Sequence, residues 1–317
     1  MKNGPARFAF YLDQLEKLLA AASDQKDPAI WLYQNNARTP LFMLEGLARL
    51  YSGLHNKHRF EKLETRFKSI EDALGAIDYY DSFAKQFAAD ASIPATITKF
   101  AVNRSVEESA RLNSLLVGKR WIGPNANRIG KINKKLAGAD WLDEKDEMKA
   151  IELDYRKNIA KIDAFAKRFD AGFTELESQV HELRRKLRWL SIFPAALRGC
   201  IQLDETPSND GNVAKYLTPE IVNSPFNKMP PPAECRYLLM FRKDYFLALS
   251  WMIAELGKLK DEGLRTVLLN EAGKKSPNDA GSEAAILTRA TAISRTFFAE
   301  KNLDKLIIGV TKVKVTK

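Results

Sequence analysis

Apolar residues recur at helical spacing along nearly the whole chain. One series is Phe8, Tyr11, Leu15, Leu18 and Leu19, and another is Phe60, Leu63, Phe67, Ile70 and Leu74. Spacings of three and four residues place such side chains on one face of an α-helix, whereas a half-buried strand needs strict alternation. Because no strand-rich region stands out, the pattern predicts an all-α fold.

Helix-breaking residues divide the first part of the chain into helices of bundle length. The breaks fall at Asp27-Pro28, Thr39-Pro40, Ile93-Pro94, Gly123-Pro124, Gly138 and Gly172. Short connections of this kind join antiparallel neighbours. Residues 199–233 are the exception, because Pro207, Pro219, Pro225 and the run MPPPA punctuate them too often for a long helix. We expect an inserted loop there.

Two further patterns concern helix starts and internal repetition. Ser105 with Glu108, and Thr174 with Glu177, have the spacing of a capping box and predict helix starts. ALGAIDYYD at 73–81 resembles ELGKLKDEG at 255–263, late in a long helical pattern in both cases. This weak repeat predicts two bundle-like halves, residues 1–140 and 141–317.

The charge of the chain favours anionic partners. Its 317 residues include 50 Lys and Arg against 40 Asp and Glu, a formal charge of +10. Residues 109–139 hold seven Lys or Arg and no acid, and Asp140, Asp143, Glu144, Asp146 and Glu147 follow at once. The basic run is either an anion-binding surface or a solvated face paired with this acidic neighbour.

Cysteine content and hydropathy indicate a cytoplasmic protein. Cys200 and Cys235 lack the spacing of a metal site, and we expect them to be reduced structural thiols. The first residues alternate apolar with charged side chains, unlike a secretory signal, and no segment reaches the ~18 apolar residues of a membrane span.

The most unusual stretch is HELRRKLRWLS at 181–191. With a rotation of about 100° per residue, His181, Arg184, Arg185 and Arg188 share one face of a helix. Val180, Leu183, Leu187 and Leu190 cluster on the other face. Like charges on neighbouring turns repel, so either a bound polyanion or carboxylates from elsewhere must neutralise them. The stretch alone leaves both alternatives open.

These residues resemble the signature helix of the CHAD family, whose helical domains bind inorganic polyphosphate. The family also has a motif similar to LGxxRDxD, which Leu74, Gly75, Ile77 and Asp81 match in the first half. Leu256, Gly257, Leu259 and Asp261 match it in the second half. The resemblance implies two pseudo-symmetric four-helix bundles with long antiparallel helices, whose basic faces line a groove between the halves.

Carried over by position, the resemblance makes His181, Arg184 and Arg188 polyphosphate-binding candidates. Arg185 and Lys186 join them by proximity, and Arg49 occupies a basic position in the first half. The first half departs from the family pattern with Leu41 in place of the histidine and Asp78 in place of an arginine. Weaker candidates that could supply the missing charge are Arg66, Arg242 and Lys243, with Arg59 and Lys62 beside Arg66.

The function implied is binding of inorganic polyphosphate, or of a similar phosphate polyanion, without catalysis, metal or cofactor. The chain has no HExxH, GxSxG, Walker-type or ExExK motif. A cytoplasmic protein that binds this polymer would be expected at polyphosphate granules. The alternative is a helical scaffold for protein interactions with a degenerate polyphosphate site. Nucleic acid is the less favoured polyanion, because no known nucleic-acid-binding motif accompanies the basic run.

Overall fold

The computed structural model of the chain describes residues 2–232, 235–273 and 279–313. Helix accounts for 71% of these residues and strand for 5%, which confirms the all-α prediction. None of the described helices combines the length and apolarity needed to cross a membrane. The α-helices are α1 (Asn3–Ser23), α2 (Pro28–Gln34), α3 (Arg38–Leu54), α4 (Lys57–Ala89), α5 (Ala95–Gly118), α6 (Arg128–Ala137), α7 (Glu144–Lys167), α8 (Glu182–Ala196), α9 (Pro219–Val222), α10 (Lys243–Glu271) and α11 (Asp279–Ala299).

The chain divides into two compact units. The first comprises Met1–Leu142 and Glu271–Gly273, and the second comprises Asp143–Asn270 and Lys274–Lys317. In the first unit, α4 packs along both α3 and α5. The apolar series from Phe60 to Leu74 forms the fully buried face of α4. Burial of that face, at roughly 25 cal/mol per Å² of apolar surface, is the main force that holds the helices together.

An aromatic cluster fixes the beginning of α4 beside the end of α6. The ring of Phe60 lies 5.8 Å from that of Phe8, 5.5 Å from that of Tyr51 and 5.5 Å from that of Trp141. The indole Nε1 of Trp141 donates a hydrogen bond of 3.0 Å to the carbonyl of Leu136, in the last turn of α6. Residues of α4 next to Phe60 therefore lie near the last turn of α6.

The helix starts follow the sequence signals only in part. Asp27 caps α2 as its Asp-Pro pair suggests, because its carboxylate accepts the N–H of Ile30. The capping box at Ser105 is wrong, whereas a helical segment does begin close to Thr174, although without the predicted capping bonds to Glu177. Ser105 lies buried inside α5. Thr174 bonds to the side chain of Gln179, and a π-helical turn, Leu176–His181, begins two residues later and leads directly into α8.

The second unit contains a small sheet that the helical pattern did not predict. Its strands are β1 (Ile201–Asp204), β2 (Tyr237–Arg242) and β3 (Ile307–Lys312). β1 is parallel to β2, and β2 is antiparallel to β3. The segment predicted as an inserted loop, 199–233, therefore begins with a strand, and it also contains α9 and two short 3₁₀ turns. Four residues of strand are too few to give a recognisable periodicity.

The two cysteines form a disulfide, so the prediction of reduced thiols is wrong. Cys200 directly precedes β1, and Cys235 lies two residues before β2. The parallel pairing of β1 with β2 brings their beginnings together, and the Cα atoms of the two cysteines are 5.9 Å apart. That separation is typical of disulfides. The bond therefore closes the inserted segment into a loop at its base.

Candidate functional site

The α8 basic surface consists of His181, Arg184, Arg185, Lys186 and Arg188. Leu183, Leu187 and Leu190 are buried on the opposite side of the helix. This apolar face orients α8, and Arg185 consequently projects into solvent while the other four residues are partly exposed. The structure therefore places the five predicted residues on one continuous helical segment, with His181 in the turn before α8, but not on one side of it. The Arg184 side chain bonds to α10, whereas the Nζ of Lys186 lies 5.2 Å from the ring of Phe165 on α7.

Two carboxylates from the same helical segment reduce the charge of the α8 basic surface. The Nδ1 atom of His181 lies 2.8 Å from a carboxylate oxygen of Glu177. Glu182 forms ion pairs with both Arg185 and Lys186, the latter at 2.9 Å. Burial alone would raise the pKa of Glu182, but its bonds to these two cations outweigh that effect and lower the pKa below its usual range. Part of the neutralisation is therefore local.

Arg184 is held in a different way from its neighbours. Its Nε donates a hydrogen bond of 3.2 Å to the carbonyl of Ile253 on α10, and the side chain packs against Gly257. Burial lowers the pKa of the guanidinium, and the negative charge of Asp261 opposes this shift. Among the described residues, Arg184 makes no ion pair with a carboxylate. It is a fixed and partly desolvated cation.

Arg49, the candidate from the first unit, is paired with acids. Its Nη2 lies 2.7 Å from Glu64 and 3.6 Å from Glu45. Glu45 is buried at 2% exposure. Burial and repulsion by Glu71 raise the pKa of Glu45 to about 7, although Arg49 acts in the opposite direction. Arg49 therefore contributes less free positive charge than its sequence position suggests.

Sequence reasoning missed Arg38, at the start of α3. Its Nε lies 2.7 Å from Glu71 and its Nη1 lies 2.9 Å from Asp78, and the side chain packs against Gly75. Gly75 belongs to the first LG motif, as Gly257 belongs to the second. The glycine of each LG motif is the signal that could have identified Arg38. A glycine at this position leaves space for the side chain of an arginine on a preceding helix.

The weaker candidates lie in three separate environments. Arg242 is exposed at the end of β2, where its N–H bonds to the carbonyl of Leu306. Lys243 forms an ion pair with Glu205. Arg66 on α4 differs from both, because its Nη1 is buried without a hydrogen-bond partner in the described part of the chain.

Two of the acidic residues that follow the basic run have partners outside it. Asp143 caps α7 by accepting the N–H groups of Lys145 and Asp146. Glu144 binds the side chain of Arg236 and the backbone N–H groups of Arg236 and Tyr237. These two carboxylates are thus engaged within the second unit.

No protein-family model, curated protein or solved structure matches the chain.

Proposed function

We propose that the chain binds inorganic polyphosphate, or a similar phosphate polyanion, through basic helix faces and catalyses no reaction on it. The observation that carries this proposal is the excess of cationic groups on the α8 basic surface. Within the described residues, Arg185 and Lys186 share the carboxylate of Glu182, and Arg184 bonds to a carbonyl and has Asp261 as a more distant counter-charge. A phosphate chain could replace such partners with stronger, charge-assisted hydrogen bonds.

Arg184 is better suited to bind a ligand than a surface arginine whose side chain rotates freely. Its guanidinium is held by the Ile253 carbonyl and loses little further freedom when it contacts a ligand. Arg185 and Lys186 directly follow Arg184 in the same turn, and they are exposed and partly exposed respectively. A cytoplasmic location at polyphosphate granules stays part of the proposal, although a disulfide is more typical of oxidising compartments.

A second candidate function is a helical scaffold for protein interactions with a degenerate site. The specific observation in its favour is the local neutralisation by Glu177 and Glu182, together with the pairing of Arg49 with Glu64. Surfaces that are neutralised in this way need no polyanion for stability. The two functions differ in whether polyphosphate binds at all.

The test is a calorimetric titration with long-chain polyphosphate at about 50 mM and about 200 mM salt. The wild-type protein is compared with Arg185→Gln/Lys186→Gln. The control is Lys145→Gln/Lys149→Gln, which removes the same charge from exposed positions of α7.

We expect salt-sensitive binding that becomes tighter with polyphosphate chain length. In the α8 variant, the slope of log affinity against log salt should be smaller by about 2, because two phosphate contacts are lost. The α7 control should keep the wild-type slope. A folded wild-type protein that does not bind, or binding that is indifferent to chain length, would overturn the proposal and favour the scaffold.

A further inference from the structure

Three basic residues of α4 occupy one face of its first turns. Arg59, Lys62 and Arg66 are spaced by three and four residues, which places them within about 60° around the helix. Phe60 and Phe67 are fully buried and fix the rotation of α4. Lys62 is therefore exposed and the two arginines are partly buried at the edge of the core.

Three more basic residues come from the connection before α6 and from α6 itself. The carbonyl of Arg120 accepts the N–H groups of Asn127 and Arg128, which closes the connection into a compact turn. The Nε of Arg128 donates a hydrogen bond of 2.8 Å to the carbonyl of Lys119. Lys135 lies two turns further along α6, on the same side as Arg128.

These two groups converge, because Trp141 joins the last turn of α6 to Phe60 and the guanidinium of Arg59 lies against Gly138, where a Cβ atom would be 3.7 Å from Nη2. Burial lowers the pKa of the Lys135 ammonium, and the positive charges of Arg66, Lys62, Arg59 and Arg128 lower it further. Burial and the charges of Arg66 and Arg120 lower the pKa of Arg128 in the same way. The α4–α6 basic cluster is defined by these six residues: Arg59, Lys62, Arg66, Arg120, Arg128 and Lys135.

The α4–α6 basic cluster differs from the α8 basic surface in its ion pairs. None of its six residues takes part in an ion pair in the part of the chain that the structure describes, in contrast to Arg185 and Lys186 on α8. In addition, the Nη1 atoms of Arg59 and Arg66 are buried and find no hydrogen-bond partner among the described residues. Mutual repulsion and partial desolvation both destabilise such a group of cations, and a bound anion would offset both effects.

We infer that the α4–α6 basic cluster is a binding site for a compact inorganic oligophosphate. Guanidinium groups offer paired donors that match phosphate oxygens, and the six cations require a ligand with several negative charges. The neighbouring aromatic residues Phe60, Phe67 and Trp121 are buried and offer no ring face for a nucleobase, which favours inorganic phosphate over nucleic acid. The site does not depend on the function proposed for α8, because its residues lie in the first unit.

The experiment measures binding of tripolyphosphate by calorimetry in metal-free buffer at low salt. The test variant is Lys62→Gln/Lys135→Gln, which leaves the partly buried arginines in place. The matched control is Lys26→Gln/Lys99→Gln, which removes the same charge from exposed positions of the first unit outside α4 and α6. Arg185→Gln/Lys186→Gln separates this site from the α8 basic surface. Circular dichroism confirms that each variant is folded.

We expect the Lys62/Lys135 variant to bind tripolyphosphate about tenfold more weakly or worse, because two charge-assisted contacts are lost. The Lys26/Lys99 control and the α8 variant should stay within about twofold of the wild type. Equal losses in the cluster variant and the Lys26/Lys99 control would overturn the inference and indicate diffuse attraction by net charge. Absence of binding by the wild type, or tighter binding of a single-stranded oligonucleotide than of tripolyphosphate, would also overturn it.

Loss of binding in the α8 variant alone would count against this site while supporting the function proposed for α8. Conversely, loss of tripolyphosphate binding in the Lys62/Lys135 variant alone would support the α4–α6 basic cluster. This conclusion would hold whether or not long-chain polyphosphate binds at α8. The two proposals can therefore fail separately.

Discussion

Gly257 on α10 provides the space that Arg184 on α8 occupies: a Cβ atom at this position would lie 3.0 Å from the Nε of Arg184. Gly75 on α4 has the same relationship with Arg38 on α3, at 2.9 Å from Nη2. The same close contact between a glycine and an arginine thus occurs once inside each unit. Judged by this contact, Arg38 in the first unit corresponds to Arg184 in the second. The family resemblance instead assigns the basic position of the first half to Arg49.

Replacing Gly257 with alanine should test this contact. Gly257→Ala and Gly130→Ala both place alanine in a helix, where it is worth about 1 kcal/mol over glycine. A Cβ at Gly130 has no neighbour within 4 Å, whereas a Cβ at Gly257 displaces Arg184 from the Ile253 carbonyl. Chemical denaturation should therefore show Gly257→Ala to be less stable than Gly130→Ala by about 1–2 kcal/mol. Equal stabilisation by both substitutions would contradict the contact.

Glu45 should make the stability of the protein depend on pH. Its pKa is about 7 in the folded protein against 4.5 in the unfolded chain, so between these values the folded state binds more protons. Stability due to Glu45 is therefore complete at acidic pH and decreases as the pH rises to about 7. Glu45→Gln removes this dependence. The free energy of unfolding of the variant, relative to that of the wild type, should therefore increase by about 2 kcal/mol between about pH 5 and about pH 8.

Denaturation of wild type and Glu45→Gln at both pH values measures this difference. The matched control is Glu16→Gln, which neutralises an exposed carboxylate on α1. Its stability relative to wild type should be nearly the same at the two pH values. A pH-independent effect of Glu45→Gln would mean that Glu45 is ionised in the folded protein at acidic pH as well.

The disulfide should contribute substantially to the stability of the protein. Cys200 and Cys235 are 35 residues apart, and the loop-closure relation gives about 4 kcal/mol for a ring of this size. Cys200→Ser/Cys235→Ser should lower the free energy of unfolding by up to that amount. A reductant should destabilise the wild type and leave the double variant unchanged. Two free thiols in protein purified without reductant and then denatured would show that the bond does not form.

Lys135 should report on occupancy of the α4–α6 basic cluster. Burial and neighbouring cations lower its pKa in the free protein, and a bound phosphate would favour the charged ammonium. Its pKa should therefore rise when tripolyphosphate binds, as followed by the NMR signal of the Nζ group. Lys62→Gln should also raise the pKa of Lys135 without ligand, because it removes one repulsive charge. An unchanged Lys135 signal in the presence of saturating tripolyphosphate would place the ligand elsewhere.

Much of the helical fold could be predicted because its signals are local. The apolar series from Phe60 to Leu74 is buried as expected, and Asp27 and Gly138 mark helix ends. The sheet could not be predicted, because β1 is four residues long and its partner β2 follows some 30 residues later. The hydrogen-bond partner of Thr174 could not be predicted either, because Gln179 bonds to it in place of the expected Glu177.

The sequence indicated which basic residues belong to the candidate sites. It did not indicate which residues they contact. Helical spacing predicted a basic face on α8, but it could not show that Arg184 bonds to α10 or that Glu182 pairs with both Arg185 and Lys186. The two basic series of the first unit were also visible separately. Their convergence depends on Trp141, which connects the end of α6 to Phe60 through packing and one hydrogen bond, and no local pattern encodes that contact.

The disulfide at the base of the inserted segment has a consequence for the integrity of the polypeptide. Residues 200–235 form a covalent ring that contains β1, α9 and the proline-rich stretch before β2. A protease that cuts one peptide bond inside this ring produces two pieces that remain joined. Such a nicked molecule would migrate as an intact chain on a gel until a reductant separates its fragments.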